Sequence, residues 1–121
     1  MRIMIFDDEM DVLNLYSLIL KKKGHEVHAE QNCMHILDKI SEIKPDVILM
    51  DNEMPVLSGL DATKLLKGTN DYAHIPIISI SANSEGKKLA EEAHADMFLP
   101  KPIGISELEK AITHVTHRRA A

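Results

Sequence analysis

Short apolar runs alternate with longer amphipathic stretches along this chain. The runs fall at residues 3–6, 47–50 and 75–80, with a weaker one at 97–99. Each is nearly continuous and bounded by Pro, Asp or Ser, which is how strands covered on both faces of a parallel sheet read. Residues 25–29 are less apolar and suit an edge strand. Between the runs, Val12, Leu13, Tyr16, Ile19 and Leu20 recur at three- and four-residue spacing. Lys21, Lys22 and Lys23 followed by Gly24 supply cations and a stop at that helix's C-terminus. Ile36, Leu37, Ile40 and Ile43 repeat the spacing before Pro45, and Leu60, Leu65 and Leu66 precede Gly68. Leu89, Ala90 and Ala93 make only a weak apolar face. Ser106 with Glu109 resembles a capping box on the last helix, whose stripe is Ile105, Leu108, Ile112 and Val115. Five β-α units without repeats or linkers predict an α/β fold: a doubly wound five-stranded parallel sheet, helices on both faces, right-handed crossovers.

Composition narrows the class of function. The 121 residues suit a single domain, 1–121, and 45% hydrophobic with 27% charged residues suits a packed core under a soluble surface. The net charge is −5, with no Trp, 2 Tyr and 2 Phe. Such a chain lacks both the cationic footprint and the stacking platforms that nucleic acid requires. A single cysteine, Cys33, cannot form an internal disulfide and fits a reducing compartment. No apolar run approaches a membrane span, and Asp7 and Asp8 interrupt any signal-peptide core. The expectation is a soluble cytoplasmic domain that engages neither nucleic acid nor membrane.

In an open parallel sheet, ligands bind beyond the carboxyl ends of the strands. The first run ends in Phe6-Asp7-Asp8-Glu9, the third in Met50-Asp51-Asn52-Glu53, the fourth in Ile80-Ser81-Ala82 and the fifth in Leu99-Pro100-Lys101-Pro102. The fold therefore gathers carboxylates, a hydroxyl and a lysine at one edge. Carboxylates repel: two unit charges 4 Å apart cost ~1–4 kcal/mol between the dielectrics of water and a protein surface. Asp7, Asp8 and Asp51 should recruit a hard divalent cation, and oxygen ligands that leave open positions suit Mg2+ with a phosphate-like anion. A dinucleotide or flavin site would instead place glycine or hydroxyl residues after the first strand, where this chain is acidic.

These strand ends resemble the receiver domain of two-component response regulators across essentially the whole chain. The matching features are Asp7-Asp8, the run Asp51-Asn-Glu-Met-Pro55-Val-Leu-Ser-Gly59 against the pattern Asp-x-x-Met-Pro-x-x-x-Gly, Ser81-Ala82, and Lys101-Pro102. Any one dipeptide is weak, and all of them in order, each at a strand end, are specific. The resemblance implies strand order 2-1-3-4-5, the flavodoxin-like order. It implies that Asp51 accepts a phosphoryl group from a phosphohistidine on a sensor histidine kinase or phosphotransfer protein. Asp8, Asp51 and the backbone carbonyl of Glu53 would ligate Mg2+, with Asp7 acting through a water. Lys101 and Ser81 would hold phosphoryl oxygens, and Ser81 with Phe98 would form the switch that alters the surface of the fourth helix, fifth strand and fifth helix. The chain would be a switch with self-catalysed phosphotransfer and not a turnover enzyme, monomeric or dimerising on phosphorylation, with an output partner that the residues do not identify.

Several positions depart from the common family pattern. Ser81 stands where Thr is frequent, Phe98 where Tyr is common, and His94 in a turn usually held by Gly. Pro100 makes a Pro-Lys-Pro turn, and the resemblance implies a cis Lys101–Pro102 bond. Glu53 and Asn83 take the variable positions flanking the site and are expected to tune dephosphorylation. Taken singly, Asp7 or Asp51 is a turn former, Ser81 a helix cap, Lys101 a surface lysine, and Pro55 and Gly59 shape a loop. His25 and His28 fall on opposite strand faces, and His114 and His117 lie on the last helix near Arg118 and Arg119, without a completed ligand set. The lysine cluster 21–23 reads as a helix end, and Cys33 and the 7 Met as filler. Two rivals stand beside the receiver reading. A pseudo-receiver would use this fold as a protein-binding module without phosphorylation, which the complete set Asp7, Asp8, Asp51, Ser81 and Lys101 disfavours. A haloacid-dehalogenase-like phosphohydrolase would carry Asp-x-Asp after the first strand, where this chain has Asp-Asp, and would need room for a cap.

Overall fold

A computed structural model describes residues 1–120, with side chains to residue 117. Its elements run β1 (Arg2–Phe6), α1 (Met10–Lys22), β2 (Glu26–Glu30), α2 (Ile36–Ile43), β3 (Val47–Asp51), α3 (Gly59–Lys67), β4 (Ile77–Ser81), α4 (Gly86–Glu92), β5 (Met97–Pro100) and α5 (Ile105–Ala120). All strand pairs are parallel, in the order β2-β1-β3-β4-β5. This is the expected doubly wound sheet and strand order.

The continuous apolar runs become the central strands because both of their faces are covered. Every residue of β3 and β4 is buried. Ile3, Ile5, Val47, Leu49, Ile78 and Ile80 pack on one face with Leu13 and Leu20 of α1 and Leu108, Ile112 and Val115 of α5. Met4, Phe6, Ile48, Met50 and Ile77 pack on the other with Ile36 and Ile40 of α2 and Ala62 and Leu66 of α3. β2 pairs only with β1 and is the half-buried edge its composition predicts.

Several expectations shift by a residue or two. The edge strand becomes Glu26–Glu30, which leaves His25 just before it. The apolar run from residue 75 enters the sheet only at Ile77: Pro76 has no N–H for the ladder and restricts Ile75 before it. α5 begins at Ile105, which puts Ser106 inside the first turn and not at a cap, so the capping-box reading fails there. The side chains of Arg118 and Arg119 lie outside the described residues.

Helix ends explain two loops. Past α1, the Gly24 and His25 N–H groups reach back to the Lys21 and Leu20 carbonyls, with Gly24 at φ 93°. Past α4, His94 and Ala95 do the same to Glu91 and Ala90, with His94 at φ 67°. Both are Schellman closures, which need a left-handed residue; the second places a histidine where glycine is relaxed, as the sequence suggests.

Candidate functional site

The topology delivers four strand ends to one edge. The Asp7 N–H bonds to the Glu30 carbonyl (3.1 Å), extending the β1–β2 ladder by one residue. Its Oδ1 accepts from the Glu9 N–H at 3.0 Å and holds the turn into α1. Asp51 closes β3 beside Ile80, and its Oδ1 accepts from the Glu53 N–H at 3.3 Å. The Lys101 N–H bonds to the Ser81 carbonyl (2.9 Å), which carries the β4–β5 ladder past the strand end, and the Lys101–Pro102 bond is cis. The Lys101 ammonium then lies 3.0 Å from Asp7 Oδ2 and 3.5 Å from Asp51 Oδ2.

Asp7 and Asp51 are each 4% exposed, whereas Asp8 stands in solvent at the rim. One carboxylate oxygen from each of Asp7, Asp8 and Asp51 lies within 4.8 Å of the others. The electrostatic consequence is large. Burial, and after it the neighbouring negative charge of Asp7, pushes the Asp51 carboxyl up to about 7 against the opposing pull of Lys101. Burial alone would lower the Lys101 ammonium, but the hydrogen bond it donates to Asp7 and the charges of Asp51 and Asp7 hold it above the ordinary lysine range. One lysine does not neutralise the cluster. Three carboxylates converging on one spot, one strained toward protonation, are a donor set that fits a hard divalent cation.

Ser81 and Phe98 are also brought to this edge. Ser81 is 1% exposed, and its hydroxyl is fully engaged: it donates to Glu53 Oε1 at 2.6 Å and accepts from the Asn83 N–H at 3.0 Å. Half-buried Phe98 lies beside the start of α4. A Cβ built on Gly86 would come to 2.9 Å of both the Phe98 ring and Ser81 Cβ. Gly59 is required for a similar reason, because a Cβ there would fall 1.7 Å from the Asp51 carbonyl oxygen.

Three features escaped the sequence reading. The Glu53 side chain, expected to tune dephosphorylation from a flanking position, is a direct partner of Ser81, which the sequence did not indicate. Asn52, buried directly after Asp51, joins Ser79 and Gly86. The signal for that pair was Ser79, a polar residue set between Ile78 and Ile80 of a fully buried strand, which must find a partner. Val56 sits at φ 70° on the rim of the same loop and is 88% exposed, a strained conformation for a β-branched residue.

The family model for the response regulator receiver domain matches residues 3–113, and the chain belongs to that family. It is 30% identical over 112 residues to the polar-differentiation response regulator DivK of Brucella anthropi, covering 91% of each chain. It is 29% identical over 120 residues to the transcriptional regulatory protein PrrA of Mycobacterium leprae, where it spans 99% of its own length and 52% of that protein's. Among solved structures, the chemotaxis response regulator CheY4 of Vibrio cholerae superposes with a TM-score of 0.85 at 26% identity, covering 94% of this chain and 97% of that one. A response regulator receiver domain protein from Clostridium thermocellum gives 0.88 at 27% identity, covering 98% and 96%. Membership places the chain in two-component signalling. No helix among the described residues is long and apolar enough to cross a membrane.

Proposed function

We propose that the chain is a phosphoacceptor switch in which Asp51 takes a phosphoryl group from a phosphohistidine on a sensor histidine kinase or phosphotransfer protein. The observation that carries this reading is the buried Asp51 carboxylate, 3.5 Å from the Lys101 ammonium and within 4.8 Å of the Asp7 and Asp8 carboxylates. A carboxylate oxygen of Asp51 forms the new O–P bond as the N–P bond to imidazole breaks, and the imidazole nitrogen keeps the electron pair. Such a transfer requires positioning and charge neutralisation more than proton transfer. Asp8, Asp51 and the Glu53 carbonyl would hold Mg2+ directly, with Asp7 acting through a water. When bound, the ion supplies Lewis-acid neutralisation of the phosphoryl charge.

Lys101 supplies a compact cation already aimed at Asp51. Ser81 would leave Glu53 to donate to a phosphoryl oxygen, and Phe98 beside it would follow, changing the α4–β5–α5 surface offered to an output partner. The protein is then a signalling switch with self-catalysed transfer and not a turnover enzyme, acting in the cytoplasm as a monomer or a phosphorylation-linked dimer.

Intact mass after incubation with phosphoramidate or acetyl phosphate, with and without Mg2+ and beside Asp51→Ala, tests this. One phosphoryl adduct that needs Mg2+ and is lost in the variant is the expected result. Absence of any adduct, together with an NMR spectrum that Mg2+ and beryllofluoride leave unchanged, would overturn it in favour of an unphosphorylated binding module.

A further inference from the structure

α4 rests on an unusual seat. The residues it buries are Gly86 and Ala90, both small, and among the described residues neither apolar core includes any part of it. Beneath its start lie the polar side chains of Asn52, Ser79 and Ser81, each 1% exposed, with the half-buried Phe98 ring beside them. With so little apolar area removed from water, the hydrophobic contribution that anchors the other helices is small here, and polar contacts decide where α4 sits.

Asn52 is the node of those contacts. Its N–H bonds to the Ile80 carbonyl (2.9 Å), and its carbonyl accepts from the Gly59 N–H (3.1 Å), so its backbone is locked between β4 and the start of α3. The side chain is locked as well. Oδ1 accepts from the Ser79 hydroxyl, and Nδ2 donates to the Gly86 carbonyl at 3.4 Å. Gly86 thus meets three groups at once: the Asn52 carboxamide at its carbonyl, and Ser81 and Phe98 where a side chain would stand.

We propose that Asn52 is a positioning residue whose buried carboxamide ties the first carbonyl of α4 to Ser79 of β4, one residue from Asp51, and so sets the resting position of the helix. An apolar residue at 52 would leave the Ser79 hydroxyl unpartnered and give Gly86 nothing to hold. The bond to Gly86 is long and therefore readily released, while the one to Ser79 ties the residue after β3 to β4. α4 can consequently leave its seat without disturbing β3 or β4. This inference rests on the phosphoacceptor reading, since it takes Ser81, Phe98 and α4 as the parts that move.

Amide hydrogen exchange by NMR on the full chain, without phosphodonor, reads the effect directly. Asn52→Ala should speed exchange at Leu89 and Ala90 by about five- to tenfold, the loss of roughly one hydrogen bond, with β1 and β3 unchanged. Asn52→Asp keeps the shape and the acceptor for Ser79 but lacks the N–H donor, so it should loosen α4 alike, and it carries the test if Asn52→Ala does not fold. In either variant the amide peaks of residues 86–93 should move part of the way along the line joining the free and beryllofluoride-bound wild-type positions. Wild-type exchange in α4, loosening spread equally over the sheet, or peaks displaced off that line would overturn the proposal. Phosphorylation of the wild type is scored separately. Its failure would remove the phosphoacceptor reading while leaving the measured tie to α4 in place, whereas normal phosphorylation with an unaltered α4 would remove this inference alone.

Discussion

The Ser81 hydroxyl donates a 2.6 Å hydrogen bond to Glu53, which latches the end of β4 to the loop after β3. A hydroxyl held this way is withdrawn from the phosphoryl group proposed to form on Asp51, so the bond would oppose the proposed switched arrangement. A glutamate at the mouth of an acidic site also repels an anionic phosphodonor.

The two effects separate by substitution. Glu53→Gln keeps an acceptor for Ser81 and removes the charge, whereas Glu53→Ala removes both. If the latch matters, phosphorylation by phosphoramidate should quicken by roughly threefold or more in the alanine variant relative to the glutamine one, the scale of one net hydrogen bond. Equal rates in the two variants would leave only the charge effect.

Asp51 makes stability depend on pH. Its carboxyl is raised to about 7 from an ordinary 3.8, so between those values the folded chain binds more protons than the unfolded one. Stability from this group is therefore fully present below about 3.8 and is lost as pH rises through about 7. Asn at position 51 carries no such penalty. In chelator, Asp51→Asn should melt several degrees above wild type at pH 8 and close to it near pH 4, measured by circular dichroism. A constant difference across that range would show that Asp51 is not destabilised by burial and by Asp7. Added Mg2+ should narrow the gap at pH 8 by stabilising the wild type, and Asp8→Asn should weaken that response.

Much of this site could be read along the chain because it depends on strand ends, and strand ends follow from continuous apolar runs. Phe6, Met50 and Leu99 are the last apolar residues before Asp7, Asp51 and the Pro100-Lys101 turn, so the carboxylates and the lysine were placed as soon as the sheet was parallel. The links of Glu53 to Ser81 and of Asn52 to Gly86 were not legible. They span 28 and 34 residues and depend on the register of β3 against β4 and on where α4 lands, which no local pattern encodes. The same limit applies at Ser106, whose capping-box spacing is sound but whose helix has already started at Ile105.

His94 offers a test of backbone strain away from the site. Its turn is the same closure that Gly24 makes after α1, but with a side chain at φ 67°. Left-handed backbone costs a residue bearing Cβ about 1–2 kcal/mol, less about 0.5–1 kcal/mol for the entropy that glycine adds to the unfolded chain. His94→Gly should therefore stabilise the protein by about 0.5–1 kcal/mol, read as a higher urea midpoint at unchanged slope. An unchanged or lower midpoint would mean that the imidazole makes a contribution that offsets the strain.

Gly59 closes the loop that carries Met54 and Pro55 back toward Asp51. Its N–H bonds to the Asn52 carbonyl at 3.1 Å, and α3 begins at this residue. Thr63 adds a 2.8 Å bond to the Gly59 carbonyl, so the segment is pinned from both sides. A methyl group here would fall 1.7 Å from the Asp51 carbonyl oxygen and 3.0 Å from Met50 Cγ. The nearer obstacle is strand backbone, which no side-chain rotation can relieve. Gly59→Ala must either push α3 away from the sheet or displace the end of β3, and it should cost about 3 kcal/mol or more. The second route moves Asp51 relative to Lys101, so a folded fraction that takes it should also accept phosphoryl far more slowly than wild type. A variant with wild-type stability and wild-type phosphorylation would show that the α3 start is not seated against Asp51 as described.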